Sequence, residues 1–177
     1  MNFDLNEDQE LLRGTFARFL DENSSTVRVR AAMPSGFDGS LWKGLGELGA
    51  FAIRVPESTG GLGLGLLDAA LLMEEAGRTL VSGPLAETLI TARLLAQFGG
   101  SAAEALLSRV LSGEAVATIA LHDSAKHPVQ WIAGGAVAEA VVAHCEKMRF
   151  RFAVVDPDKD VAPEAIRCLR TLRARLP

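Results

Sequence analysis

With 177 residues, 49% of them hydrophobic, the chain is long enough to bury a core and fits one domain, or one plus part of another. Its net charge of -4 at pH 7 excludes a whole-chain electrostatic footprint for nucleic acid. Two cysteines, Cys145 and Cys168, form no CxxC pair and read as a reducing, cytoplasmic setting. The acidic start MNFDLNEDQE and the absence of any apolar run near the roughly 18 residues that span a bilayer predict neither a signal peptide nor a membrane span.

Asn6 with Gln9 predicts a capping box, and Leu5 a hydrophobic staple, opening a helix with Leu12, Phe16, Phe19 and Leu20 on one face. A second helix is predicted from about Asp38, burying Leu41, Trp42, Leu45 and Leu48 and ended by Gly49. FAIRVP then reads as extended, because Pro56 disfavours a helical Val55. After a glycine cluster (Gly60, Gly61, Gly63, Gly65), Leu67, Ala70, Leu71 and Glu74 recur at helical spacing up to about Leu80. Pro84 is placed to start a fourth helix with Leu85, Thr88, Leu89, Ala92 and Leu95 inward and Gly99-Gly100 as the stop. Ser101 with Glu104 predicts a further capping box, opening a fifth helix through Leu106, Leu107, Val110 and Leu111 to Gly113.

The pattern changes at Glu114. AVATIAL (115–121), AVAEAVVAHC (136–145) and FRFAVVD (150–156) are rich in β-branched residues and read as strands. Three short strands cannot easily close a barrel, so their exposed edges predict a need to pair. PEAIRCLRTLRARLP returns to a helical pattern, with Arg167, Arg170, Arg173 and Arg175 giving a basic, solvated face. The expected fold is mainly α with a small β region: a helical domain over 1–113, a short, incomplete antiparallel β-domain over 114–160, and a basic terminal helix within 161–177.

The glycine cluster lacks dinucleotide-fingerprint spacing, because Leu66 stands where a third glycine belongs, and no Lys-Ser/Thr follows to make a P-loop. Its simplest role is a tight turn into the next helix. Glu74 and Glu75 point about 100° apart on a helix and cannot share one site; pairing with Arg78 is the expected role. No ligand pair among His122, Asp123, His127, His144 and Cys145 has metal-site spacing. Cys145 reads as a packed thiol and Trp131 as a core anchor, with a flat surface for an aromatic cofactor as the alternative for Trp131. The residues alone supply no complete catalytic constellation.

The segments LNEDQELLRGTFARFLDE (5–22), LWKGLGELGAFAIRVPESTGGLGLGLLDAALLMEEAGR (41–78) and LLSRVLSGEAVATIALHD (106–123) resemble the acyl-CoA dehydrogenase family, in particular its Pro-x-x-x-Gly-Gly-x-Gly turn and the first strand of its middle domain. The resemblance implies a flavoprotein that oxidises an acyl-CoA thioester to the α,β-enoyl form with FAD. It also implies assembly as a homo-oligomer or with a longer chain of the family, and reoxidation by an electron-transferring flavoprotein. By position, Ile119, Leu121 and His122 would make the family's backbone contacts to the flavin. Leu85, Ala86, Glu87 and Ile90 on the fourth helix would lie nearest the acyl chain.

The sequence departs from the family plan in three places. His122-Asp123-Ser124 replaces Thr-Glu-Pro, with no Gly-x-Gly-Ser turn after it; the middle domain is shortened; and the C-terminal helical domain with its catalytic glutamate has no counterpart. No catalytic residue is therefore assigned, and Glu87 reads as pocket lining or a structural polar contact. The expectation is an acyl-CoA dehydrogenase-like protein dependent on a partner chain. The alternative is a non-catalytic partner subunit or a truncated remnant without activity of its own.

Overall fold

In a computed structural model of the protein, the described residues are 4–122, 132–145, 149–154, 161–162 and 165–166. Six helices come first: α1 (Glu7–Asn23), α2 (Thr26–Ala32), α3 (Gly39–Glu47), α4 (Leu66–Arg78), α5 (Leu85–Phe98) and α6 (Ser101–Leu111). Strands β1 (Ala117–Ala120), β2 (Ala140–Cys145) and β3 (Arg149–Val154) form one sheet, and β4 (Val161–Ala162) pairs with β5 (Ala165–Ile166).

Short polar side chains start the first three helices. The Gln9 N–H donates to Asn6 Oδ1 at 2.8 Å and the Asn6 N–H to Gln9 Oε1 at 3.2 Å, the expected capping box. Ser25 caps α2, a short helix that the apolar periodicity does not announce. Asp38 caps α3, accepting the Leu41 N–H at 3.0 Å while Arg28 of α2 grips both its oxygens at 2.8 and 3.0 Å. The box expected at Ser101 does not form: Gly100 takes the N-cap position and Ser101 is already helical. α1 and α4 lie side by side in the same direction, since Gln9 Nε2 reaches Asp68 near their N-termini and Arg78 bonds Asp21 near their C-termini. Arg78 also pairs with Glu75 at 2.7 Å, and these two carboxylates raise its pKa; Glu74 stays exposed.

FAIRVP is not extended. Ala50–Ala52 form a 3₁₀ turn and Ile53 continues in the right-handed helical region, because Pro56 restrains only the residue before it. The glycine cluster folds back over this turn: the Leu62 N–H donates to Ala52 O, Gly63 to Val55 O and Leu64 to Ile53 O at 2.8–2.9 Å. Gly60 and Gly63 have positive φ, and a β-carbon on Gly61 would overlap the Val55 carbonyl. α4 buries Ala69, Leu71, Leu72 and Ala76, leaving Leu67 exposed against expectation. Leu48 is likewise partly exposed.

Trp42 is the hub of the first core cluster. It is 1% exposed, with ring centroids 5.5 Å from Phe37 and 4.6 Å from Phe51. Gly83 lies against its indole and Gly113 against its carbonyl, so both ends of the α5–α6 hairpin close on one residue. A second cluster joins Ala92 and Leu95 of α5 and Leu107 and Val110 of α6 to Ala117, Ile119, Ala140 and Val142 of the sheet.

The sheet is mixed rather than wholly antiparallel. β1 pairs with β2 in parallel (Ala117↔Ala140 to Ala120↔Ala143), and β2 with β3 antiparallel (Ala140↔Val154 to Cys145↔Arg149). The long connection over 121–139 allows the crossover that a parallel pair requires. All four β1 residues are buried, with α5 on one face and the 132–138 turns on the other, where Thr118 Oγ1 donates to Ala133 O at 2.7 Å. The terminal helix does not begin where expected, since Ala165–Ile166 are paired as a strand with Val161–Ala162; the rest of that segment, with Cys168 and its arginines, lies outside the described residues.

Gly61→Ala lowers the unfolding free energy by about 3 kcal/mol, because no side chain can relieve a clash with main chain; urea denaturation measures it. Burial of Asp38 opposes its ionisation, but the bonds from Arg28 and the Leu41 N–H outweigh this and hold the carboxyl below its ordinary value of 3.8. A carboxyl depressed by folding stabilises the fold above its unfolded value and loses that contribution as pH falls through the folded one. Asp38→Asn therefore lowers the melting temperature at pH 7, and the gap from wild type closes as melts are run below pH 3.8.

Candidate functional site

α5 has two faces with different tasks. Leu85, Thr88, Leu89, Thr91, Ala92 and Leu95 are buried, which follows the expected inward stripe. Ala86 and Glu87 are half-buried, and Ile90 is 47% exposed and Arg93 exposed, so these four line the outward side. The four expected acyl-lining residues therefore separate: Ala86, Glu87 and Ile90 share the outward side, whereas Leu85, 4% exposed, packs into the Trp42 cluster. Its position one residue before Ala86 turns it about 100° away.

The outward face is tied to the glycine loop by backbone-seeking arginines. Arg93 donates to the carbonyl of Arg54 and Arg54 to the carbonyl of Leu64, each at 3.0 Å. This fixes the helix against the segment that the sequence marks most strongly, and gives the glycine turn a scaffolding role.

The inward face meets β1. Thr88 is fully buried, and its hydroxyl donates to the Ala117 carbonyl at 2.8 Å. Of the expected flavin contacts, Ile119 has its side chain in the core at 4% exposure, while Leu121 is 65% exposed just past the strand and His122 is exposed beside it. Ile119 can thus meet a ligand only through its main chain. Among the described strands only β2 pairs with β1, so the opposite edge of β1 is unpaired by strand and offers N–H donors and C=O acceptors to a planar heterocycle. The residues present fit a flavin at that level: the strand edge carries main-chain donors and acceptors for the ring's polar rim, and the inward face of α5 packs against the same strand. The segment that would follow, 123–131, holds Asp123, His127 and Trp131 and lies outside the described residues.

Among the described residues no group of three or more His, Cys, Asp or Glu is arranged to hold a metal ion, and no helix is long and apolar enough to cross a membrane. His144 and Cys145 occupy adjacent β2 positions. The Thr88 bond is the feature that the sequence reading did not single out. Its signal was a hydroxyl in the inward stripe, but Thr91 carries the same signal and bonds nothing among the described residues, so the sequence could not tell the two apart.

Residues 6–114 match the family model described as acyl-CoA dehydrogenase, N-terminal domain. The acyl-CoA dehydrogenase IpdE2 of Mycobacterium tuberculosis is 36% identical over 140 residues, covering 77% of this chain and 42% of that protein. A solved structure described as a Tcur3481–Tcur3483 steroid ACAD variant superposes with a TM-score of 0.70 at 24% identity, over 86% of this chain and 48% of the other. An FAD complex of PigA gives 0.71 at 18% identity, over 88% and 49%. The chain spans less than half the length of these relatives.

The two residues at the strand end separate burial from contact. Ile119→Ala costs about 3 kcal/mol of stability, whereas Leu121→Ala stays within about 0.5 kcal/mol of wild type, both read from denaturant midpoints.

Proposed function

The chain belongs to the acyl-CoA dehydrogenase family, and we propose that it supplies the acyl-facing helix and a flavin-contacting strand of an FAD-dependent dehydrogenase acting on a CoA thioester. In this reading a further protein segment brings the catalytic base. What supports it is one juxtaposition: α5, with an outward face of Ala86, Glu87 and Ile90, is bonded through Thr88 to β1, whose other edge no described strand occupies.

Bound FAD supplies the hydride acceptor for oxidation of the acyl chain. The main chain at Ile119 in β1 and at Leu121 just past it would hold the flavin ring by directional bonds, and the apolar side chains of Ala86 and Ile90 would keep water from the acyl carbons. Glu87, the only carboxylate on α5, serves as wall or structural contact. The base then comes from a helical segment of the kind the family places after its β-domain, and an electron-transferring flavoprotein completes the cycle.

A second reading, a non-catalytic subunit that shapes the acyl pocket of a longer family member, draws support from β3. Its outer edge pairs with no described strand and can accept one from a partner. Co-purification with a longer family chain favours this reading, and a lone monomer counts against it.

Adding FAD to the purified protein raises the melting temperature and leaves flavin absorbance on the protein peak in gel filtration; a colourless protein whose melt ignores FAD sinks the flavin reading. Ile90→Arg, at an exposed position, keeps the wild-type melting temperature but abolishes the further shift produced by a medium-chain acyl-CoA. An unchanged shift removes Ile90 from the acyl face.

A further inference from the structure

The free edge of β1 is divided by one side chain. The Glu139 N–H donates to the Val116 carbonyl at 2.9 Å, so the main-chain groups of Val116, Thr118 and Ala120 turn toward β2. Alternate residues turn theirs to the opposite side, which puts Ala117, Ile119 and, in continuation, Leu121 on the free edge, about 7 Å apart. The first acceptor on that edge, the Ala117 carbonyl, is already taken by Thr88 Oγ1 at 2.8 Å, with both residues fully buried.

We propose that Thr88 is the positioning residue of the site: its hydroxyl sets the register of the α5 outward face against the Ile119–Leu121 edge and closes that edge at Ala117. A ligand reading the strand then bonds at Ile119 and Leu121 and cannot slide toward the strand's start. This rests on the flavin reading of that edge given above.

Elsewhere along the α5–β1 interface, Ala92 and Leu95 share an apolar cluster with Ala117 and Ile119. Apolar burial is non-directional and by itself sets no register between a helix and a strand, whereas a hydrogen bond with an aligned donor does. Threonine suits the role because its branched β-carbon restricts χ1 in a helix, so the hydroxyl moves only with the helix. Thr91 provides an internal comparison. It lies on the same helix and is equally buried, yet its Oγ1 has no hydrogen-bond partner among the described residues.

The test uses the whole chain with Thr88→Val, Thr88→Ser and Thr91→Val, read by amide hydrogen exchange of residues 117–121 without ligand and by FAD titration followed through flavin fluorescence. Thr88→Val speeds exchange of that segment and weakens FAD binding by about tenfold each, the equivalent of one lost buried hydrogen bond. Thr88→Ser restores both, and Thr91→Val changes neither. If valine at position 88 prevents folding, Thr88→Ala against Thr88→Ser gives the same comparison. Wild-type exchange in Thr88→Val, or an equal effect from Thr91→Val, overturns the register role. FAD binding by wild type and Thr88→Val alike overturns the closing of the edge while the flavin reading survives. Absence of FAD binding in wild type, with the exchange pattern intact, removes the flavin reading and leaves the register role standing.

Discussion

The indole of Trp42 is the constraint on which the arrangement turns. It is held between Phe37 and Phe51, with Gly83 pressed on the ring and Gly113 on the residue's carbonyl. Gly83 stands two residues before α5 and Gly113 two residues after α6, so one residue of α3 braces both ends of the α5–α6 hairpin. Its Nε1–H finds no hydrogen-bond partner among the described residues, a cost of about 1–3 kcal/mol that the aromatic packing must exceed. Both approaches require glycine, because a β-carbon at either position would sit under 3 Å from Trp42.

Everything at the site descends from that clamp. With α5 anchored at its start and β1 emerging just after Gly113, helix and strand have little choice but to pack together, and the second apolar cluster fills the space between them. Arg54 and Arg93 fasten the outward side of α5 to the glycine loop, and Thr88 fastens its inward side to the strand. An exposed isoleucine on the outward side and a strand edge that no described strand occupies are left over, and these are the surfaces on which the proposed flavin and acyl contacts rest.

The helices were legible because their signals are local. The Asn6–Gln9 box and the inward stripe of α5 formed as read, since capping and amphipathic periodicity depend on neighbours within four residues. The departures share a cause of another kind. α2 is short and fixed by Ser25 and by the Arg28–Asp38 pair rather than by an apolar stripe. The 3₁₀ turn at Ala50–Ala52 is stitched by bonds from the glycine loop about ten residues on, which no local propensity reports. In α4, two adjacent apolar faces compete, and contact with α1 selected the Ala69–Leu72–Ala76 side over Leu67.

The sequence by itself determined the helical domain, the change to strands after Gly113 and the family, because caps, periodicity and a glycine-rich turn are written in contiguous residues. It also marked α5 and the end of β1 as the places to look. Only the tertiary structure decided that Leu85 belongs to the core while Ala86, Glu87 and Ile90 face out, that β1 runs parallel to β2, and that Thr88 bonds Ala117. Each of these depends on which distant segment occupies the space beside a residue, and hydrogen bonds and packing across such separations leave no periodic trace in the chain.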